Sequence, residues 1–421
     1  MPSYVAFIGH QPAISIAELA STVPGFHVTH ILGKQAVLFD AAEPLDPKAL
    51  TLLGGTISIA EQLPYSGNGH AGIKEVVYQQ LKAVKGKAVF SLRTIGLPPN
   101  IIRELYRTSK DVLKKHDISS RYIGNEREPA VSVLLHDSGV LDPKHGAEIV
   151  VIKAKDLFWV GRTIAAQDVN AYAKRDMKKP VRDTTVGLLP PKLAQILLNF
   201  GEWLVEQQKE AAGIKKTKTK KPLIVLDPFC GTGVLPMESL LRGWTVLASD
   251  NSQKAVNGST LNIEWLRKEE KILKKDVSST VWKQDATKPF DFVGGKPFKL
   301  KELPQVVVTE TSLGPNLKER PMIKDIQQMK ADNEKLQMAF LENIARSLPG
   351  VPIVATWPVW YAMKKQIYVE KVLNNLEKIG YEAVLPPGVE PHDPERKTLL
   401  YRRPDQFVGR EIVLLMPKVS L

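Results

Sequence analysis

Residues 222–227, PLIVLD, form a continuous apolar run that ends on an acid. A run without polar alternation predicts a strand buried on both faces, as in a parallel sheet covered by helices. From Pro222 onward such runs alternate with longer stretches of helical spacing. VLPMESLLRG predicts a helix, TVLASD a strand, SQKAVNGSTLNIEWLRKEE a helix, and VWKQD and QVVVTE strands. DNEKLQMAFLENIARSL predicts a helix, PIVATWP a strand, YAMKKQIYVEKVLNNLEKIG a helix and YEAVLPP a strand. LLYRRPDQFVGREIVLL predicts a closing hairpin. This succession predicts an α/β fold, a doubly wound sheet with an antiparallel end.

The pattern before Pro222 is different. YVAFI, HVTHIL and QAVLFDA predict strands, and AISIAELAS a helix, so residues 1–63 read as a small α+β unit. Residues 64–170 read as a second one. In it GIKEVVYQQLKAVKG and NIIRELYRTSKDVLKKH predict helices. AVFSLRTIG, SSRYIG, AVSVLLHD and EIVVIKAKDLFWVGRTIAAQD predict strands. Residues 171–421 then hold a connector and the α/β domain. In the connector, Pro190 and Pro191 suit the first turn of a helix. The run KKTKTKK at 215–221 has no apolar period and predicts a solvated or RNA-touching loop.

Composition narrows the class. At 421 residues with 43% hydrophobic positions, about two or three domains with real cores are expected. The single cysteine, Cys230, excludes a disulfide framework and a cysteine-built zinc site, and no other metal site is read. No basic leader precedes an apolar segment at the N-terminus, and no stretch approaches the roughly 20 apolar residues of a membrane helix. A cytoplasmic protein without membrane contact is the expectation. The net charge of +13 points to a polyanionic partner, and the helix at 100–116 carries Arg103, Arg107, Lys110, Lys114 and Lys115.

The chemistry centres on LDPFCGTG, residues 226–233. Asp227 closes a buried strand, and Gly231 and Gly233 let the backbone pass close to a ligand at a helix N-terminus. A glycine loop alone would serve a nicotinamide dinucleotide equally well. The spacing of acids carries more weight: Asp227, Asp250, Asp285 and Glu310 each close a successive predicted strand. Ligands in such sheets bind at the carboxyl ends of the strands. Four acids there suit a ligand with a cation, a ribose and an exocyclic amine, and S-adenosylmethionine has all three.

DPFCGTG resembles the first motif of class I S-adenosylmethionine-dependent methyltransferases, which have a Rossmann-like domain. The branch it is most similar to carries an N-terminal THUMP domain that binds RNA: the tRNA guanosine-10 N2-methyltransferases. The connector RDMKKPVRDTTVGLLPPKLAQILLN and the opening YVAFIGHQPAISIAELAS also resemble that branch. The resemblance implies a ferredoxin-like domain over 1–63, a THUMP-like domain over 64–170 and a catalytic domain after them. It implies S-adenosylmethionine as cofactor and RNA, in particular tRNA, as partner. An activator subunit or a homodimer is not legible.

Carried over, the resemblance puts Asp227, Pro228, Phe229, Cys230, Gly231 and Gly233 around the methionine end of the cofactor. Asp250, followed by Asn251, would accept from the ribose hydroxyls; the alternative is a cap for the helix starting near Ser252. Asp285, followed by Ala286, would meet the adenine amine; the alternative is a turn residue. Pro191 and Lys192 would border the cofactor, or simply start a helix. Arg175, Lys178, Lys179 and Arg182 suit phosphate contacts, or ion pairs of Arg175 with Asp176 and Arg182 with Asp183.

One stretch departs from the family. After the fourth strand it has an acid or amide, two prolines and an aromatic; here Glu310, Thr311, Ser312 and Leu313 stand in those places. An exocyclic amine is a poor nucleophile because its lone pair is delocalised into the ring. Two acceptors on its hydrogens hold the lone pair toward the methyl group, a positioning effect of several kcal/mol. Glu310 keeps an acceptor, Leu313 keeps apolar contact without a π face, and the loop loses the stiffness of two prolines. Trp357, Trp360 and Tyr361 could lend an aromatic or belong to the core. The expected function is methylation of RNA, foremost N2 of a guanosine in tRNA, by direct transfer. The same fold with another acceptor (a DNA amino group or another RNA atom) remains open. So does a non-catalytic protein that binds RNA and the cofactor.

Overall fold

The N-terminal region forms a single antiparallel-rich sheet of eight strands, whose central ones are runs of buried residues. They are β1 (Ser3–Ile8), β2 (His27–Leu32), β3 (Ala36–Asp40), β4 (Thr56–Gln62), β5 (Ala88–Ile95), β6 (Ser120–Ile123), β7 (Gly146–Ala154) and β8 (Leu157–Ala166). Helices α1 (Pro12–Thr22), α2 (Pro47–Leu50), α3 (Ile73–Leu81), α4 (Pro99–Lys115), α5 (Ser132–Asp137) and α6 (Val169–Met177) are interspersed. The sheet order is β2-β3-β1-β4-β8-β7-β5-β6. The computed structural model describes the chain except residues 68, 126–129, 184–187, 215–220, 291–302, 318, 364, 405 and 419–421. The basic run at 215–221 therefore lies almost wholly outside the described residues.

One sheet runs across residues 63 and 64, because β4 pairs antiparallel with β8. One expectation changes here. AVSVLLHD was expected as a strand, yet Ser132–Asp137 is the short helix α5. Its three-residue apolar run is compatible with either state, and only Leu135 of that run is fully buried, with Leu134 46% exposed.

By contacts the chain divides into two units. The first holds Met1–Pro12 and Val23–Tyr172, the second Ala13–Thr22 and Ala173–Leu421. Nearly all of α1 thus belongs to the second unit although its flanking strands belong to the first. Ile14 and Ala17 share a buried cluster with Leu193, Leu197 and Phe200. Asn199 Nδ2 donates to the buried Glu18 Oε1 at 2.6 Å.

The second unit adds α7 (Pro191–Ala211), β9 (Ile224–Asp227), α8 (Val234–Leu241), β10 (Thr245–Asp250), α9 (Gln253–Glu269), β11 (Ser279–Lys283) and β12 (Val306–Glu310). α10 (Ile323–Ser347), β13 (Ile353–Ala362), β14 (Lys365–Ile367), α11 (Glu370–Ile379), β15 (Tyr381–Ala383), β16 (Leu399–Tyr401) and β17 (Val408–Pro417) complete it. Pro191 is the first residue of α7, where its missing N–H costs nothing. The sheet order is β11-β10-β9-β12-β13-β17-β15, with β14 beside β13 and β16 beside β17. Strands β9 to β13 are parallel, and β17 runs against β13, β15 and β16. Successive strand residues face opposite cores: Val225, Val306 and Val308 lie in one, Leu226 and Val307 in the other. That is why these strands read as unbroken apolar runs. No helix among the described residues is long and apolar enough to cross a membrane.

Ile14→Ala is expected to cost about 2–5 kcal/mol, although residue 14 lies near the N-terminus. The loss should appear in the urea transition of the second unit, followed by fluorescence of its tryptophans. The transition of the first unit should stay in place.

Candidate active site

The strand order reverses between β9 and β12, and at that switch point a crevice opens beyond the carboxyl ends of the strands. It forms a cleft of about 410 Å³. Its lining includes Asp227, Pro228, Phe229, Cys230, Gly231, Asp250, Asn251, Asp285, Ala286, Glu310, Thr311, Ser312 and Leu313. Gly233 and Lys192 are not among the lining residues.

Gly233 has another task. It caps α8 at φ 86°, and a Cβ there would stand 2.5 Å from Ser259 Oγ, so it lets α8 and α9 pack closely. Lys192 sits half-buried in the first turn of α7, and burial lowers its ammonium pKa. The motif places it one residue into a helix whose inward positions belong to the core.

Each acid is held differently. Asp227 is fully buried; its Oδ1 accepts from Thr309 Oγ1 at 2.6 Å and from Phe229 N at 3.3 Å. Burial, reinforced by Asp250 and Glu310, pushes its carboxyl pKa up to about 7. Asp250 accepts from Gly231 N through Oδ2 at 3.0 Å and from Ser252 N through Oδ1 at 2.9 Å. It therefore tethers the glycine loop and steadies the start of α9, where Ser252 is the cap. Gly231 adopts φ 50°, and nothing lies within 4 Å of where its Cβ would be, so the loop is open to a ligand. Asp285 is exposed, and two bonds from Thr287 to its Oδ1 hold its pKa below the usual carboxylate range. Burial pushes the Cys230 thiol well up, so it is neutral in the wall.

The loop Glu310–Gly314 lacks prolines but is tied down. Thr311 Oγ1 donates to Thr356 O at 2.6 Å and accepts from Gln337 Nε2 at 2.6 Å. Asn333 Nδ2 donates to Ser312 O at 2.6 Å, and Gln337 Nε2 also donates to Asn333 Oδ1 at 3.1 Å. Two amides of α10 thus restrain the segment that the sequence led us to expect loose. Trp357 and Trp360 are fully buried in the core, and Tyr361 is covered by the Arg402 guanidinium at 3.8 Å. The aromatic side chain among the lining residues is Phe229, packed edge-on against Phe340 at 5.1 Å.

Neither reading of the connector's basic residues holds in full. Arg175 is buried against Glu238, with Nε 2.7 Å from Oε1, rather than facing a phosphate or Asp176. Lys179 is buried 3.6 Å from Asp176, and Asp183 pairs with Lys254 at 2.8 Å on the cleft wall. Lys178 and Arg182 are exposed.

Sequence reasoning missed Arg410. Its Nε donates to Glu310 Oε1 at 2.5 Å, and its Nη2 to Leu188 O at 3.3 Å. It also missed Val181, Leu188 and Leu189, which complete the wall. Asn262 pins that connector: its Oδ1 accepts from Val181 N at 2.9 Å and its Nδ2 donates to Thr232 O at 2.8 Å. An asparagine in mid-helix was the available signal. For Arg410 there was none.

The family model described as Conserved hypothetical protein 95 matches residues 208–339, a stretch that holds all four acids. No curated protein matches the chain. Among solved structures, TrmN from Thermus thermophilus is 13% identical with a TM-score of 0.48, over 99% of this chain and 100% of that one. A possible methylase from Clostridium difficile 630 is 10% identical with a TM-score of 0.45, over 100% and 99%. Magnesium protoporphyrin IX methyltransferase from Synechocystis PCC 6803, with bound SAM, is 15% identical with a TM-score of 0.30, over 58% and 94%. The C-terminal unit itself has a Rossmann-like α/β fold, a doubly wound sheet with an antiparallel end.

Asp227 gives a pH test. The folded chain keeps this proton up to about pH 7, whereas the unfolded chain releases it in the ordinary carboxylate range. Its contribution to stability should therefore fall as pH rises between those limits. Asp227→Asn should flatten that region of the stability profile in urea unfolding.

Proposed function

We propose that the chain is an S-adenosylmethionine-dependent methyltransferase that acts on RNA, with N2 of a guanosine in tRNA as its first target. The observation that carries this is the convergence of Asp227, Asp250, Asp285 and Glu310 on one cleft at the switch point, beside a glycine loop open to a ligand.

The donor set fits the cofactor. Asp250 and Asn251 offer acceptors for ribose hydroxyls at the end of β10, and Asp285 offers its second oxygen to an adenine amine. Asp227 and the Gly231 loop suit the cationic methionine end. A cation there favours the ionised form of Asp227, which burial disfavours. When bound, this group supplies an activated methyl on a sulfonium.

The chain's own residues orient the acceptor. Glu310 and a backbone carbonyl of the following loop accept from the target amine and direct its lone pair. Asn333 and Gln337 keep that loop in place. Leu313 and Leu336 provide apolar contact for a base. The RNA reading rests on charge and on α4. Arg103, Arg107, Lys110 and Lys114 are all exposed at successive helical spacings and form one basic stripe.

The test is transfer of labelled methyl groups to unmodified tRNA, followed by digestion to nucleosides. N2-methylguanosine is the expected product. Label in another nucleoside would favour the second reading, a changed acceptor, which Leu313 in place of an aromatic supports. Glu310→Ala should abolish transfer and leave cofactor binding within a few-fold. Asp250→Ala should weaken cofactor binding. Full activity in Glu310→Ala would remove Glu310 from this role.

A further inference from the structure

Glu310 is not a solitary acceptor. It lies opposite Thr356 on β13, and Arg410 lies opposite Pro358, two residues further along the same strand. Residues two apart on a strand share a face, so the arginine reaches across β13 to the carboxylate on one side of the sheet. Arg410 is 2% exposed and is not among the lining residues, whereas Glu310 is. The guanidinium takes Oε1; Oε2 receives no hydrogen bond from the described residues. A buried guanidinium needs this partner, because an unpaired charge in the interior is costly. The second bond, to Leu188 O, ties the arginine to the connector that walls the cleft.

We infer that Arg410 is a positioning residue that occupies one oxygen of Glu310 and leaves Oε2 as the single oxygen presented to the acceptor. This deepens the proposed function and rests on it. The acceptor then meets one carboxylate oxygen, not two. An exocyclic amine is held between Oε2 and a loop carbonyl, and a base edge with two parallel donors cannot use both carboxylate oxygens.

An isosteric change at residue 310 then has an unusual consequence. In Glu310→Gln the amide has one acceptor oxygen, and Arg410 takes it. The NH2 group is then turned to the cleft, where a donor faces a donor. Removing the arginine as well, in Glu310→Gln with Arg410→Met, frees the amide oxygen to turn toward the cleft. The second substitution should therefore restore what the first removes. A purely structural arginine would make the double variant no better than the single one.

The experiment compares the binding of sinefungin and S-adenosylhomocysteine by calorimetry on the full chain. In sinefungin a carbon replaces the sulfur and an amine stands where the transferred methyl does, so it reads the acceptor oxygen without an RNA substrate. The wild type should prefer sinefungin by on the order of tenfold, the size of one hydrogen bond to a charged group. Glu310→Gln should lose that preference, and the double variant should regain some of it. Methyl transfer should follow the same order, in kcat more than in KM for RNA. Loss in Glu310→Gln without recovery in the double variant overturns the inference and leaves the proposed function standing. An unchanged preference in Glu310→Gln removes Glu310 from the acceptor site. Binding of neither analogue removes the proposed function and this inference together.

Discussion

Asp227, Asp250 and Glu310 end neighbouring strands and Asp285 lies two residues beyond the end of a fourth, and their mutual repulsion has to be offset before the sheet can close. The structure does this in four ways. Asp227 keeps its proton to about pH 7 and accepts from Thr309. Asp250 is bonded by two backbone N–H groups. Asp285 stays in solvent with Thr287 beside it. Glu310 is paired with a buried arginine. The rest of the site follows: the bond to Asp250 sets the glycine loop, and the bond to Arg410 sets the Glu310 carboxylate. Negative potential concentrated in one crevice is what a cationic ligand needs.

The second constraint is stiffness at the end of β12. Proline restricts a loop by covalent geometry; here hydrogen bonds do it, through Thr311, Asn333 and Gln337. All three are nearly or fully buried, and their hydroxyl and NH2 groups are committed to one another and to the loop backbone. A loop built this way depends on α10, whereas proline carries its restraint within the segment. The four-residue departure in sequence is thus a change in how the loop is held.

Much of this architecture was legible in the sequence. The strands PLIVLD, TVLASD and QVVVTE are buried on both faces, so each leaves an apolar run with at most one hydroxyl residue between it and its acid, and the cleft could be read from those ends. Local signals could not show pairings made over long distances. Arg410 stands 100 residues from Glu310, and its neighbours read only as a strand. The transfer of α1 to the second unit depends on which face Ile14 and Ala17 find, not on helical spacing. Arg175 read as a phosphate contact or a partner of Asp176 because its true partner, Glu238, is hidden in a mostly apolar helix. β4 was missed because TISIAEQ alternates weakly, and with it went the continuity of the first sheet.

The central claim is that the carboxylate-lined crevice binds S-adenosylmethionine. Calorimetric titration of the full chain with this compound, below and above neutral pH, tests it most directly. The account predicts saturable binding to one site, tighter at the higher pH because the ionised Asp227 faces the cationic end. Absence of binding at both pH values, from a chain that melts cooperatively, would contradict it.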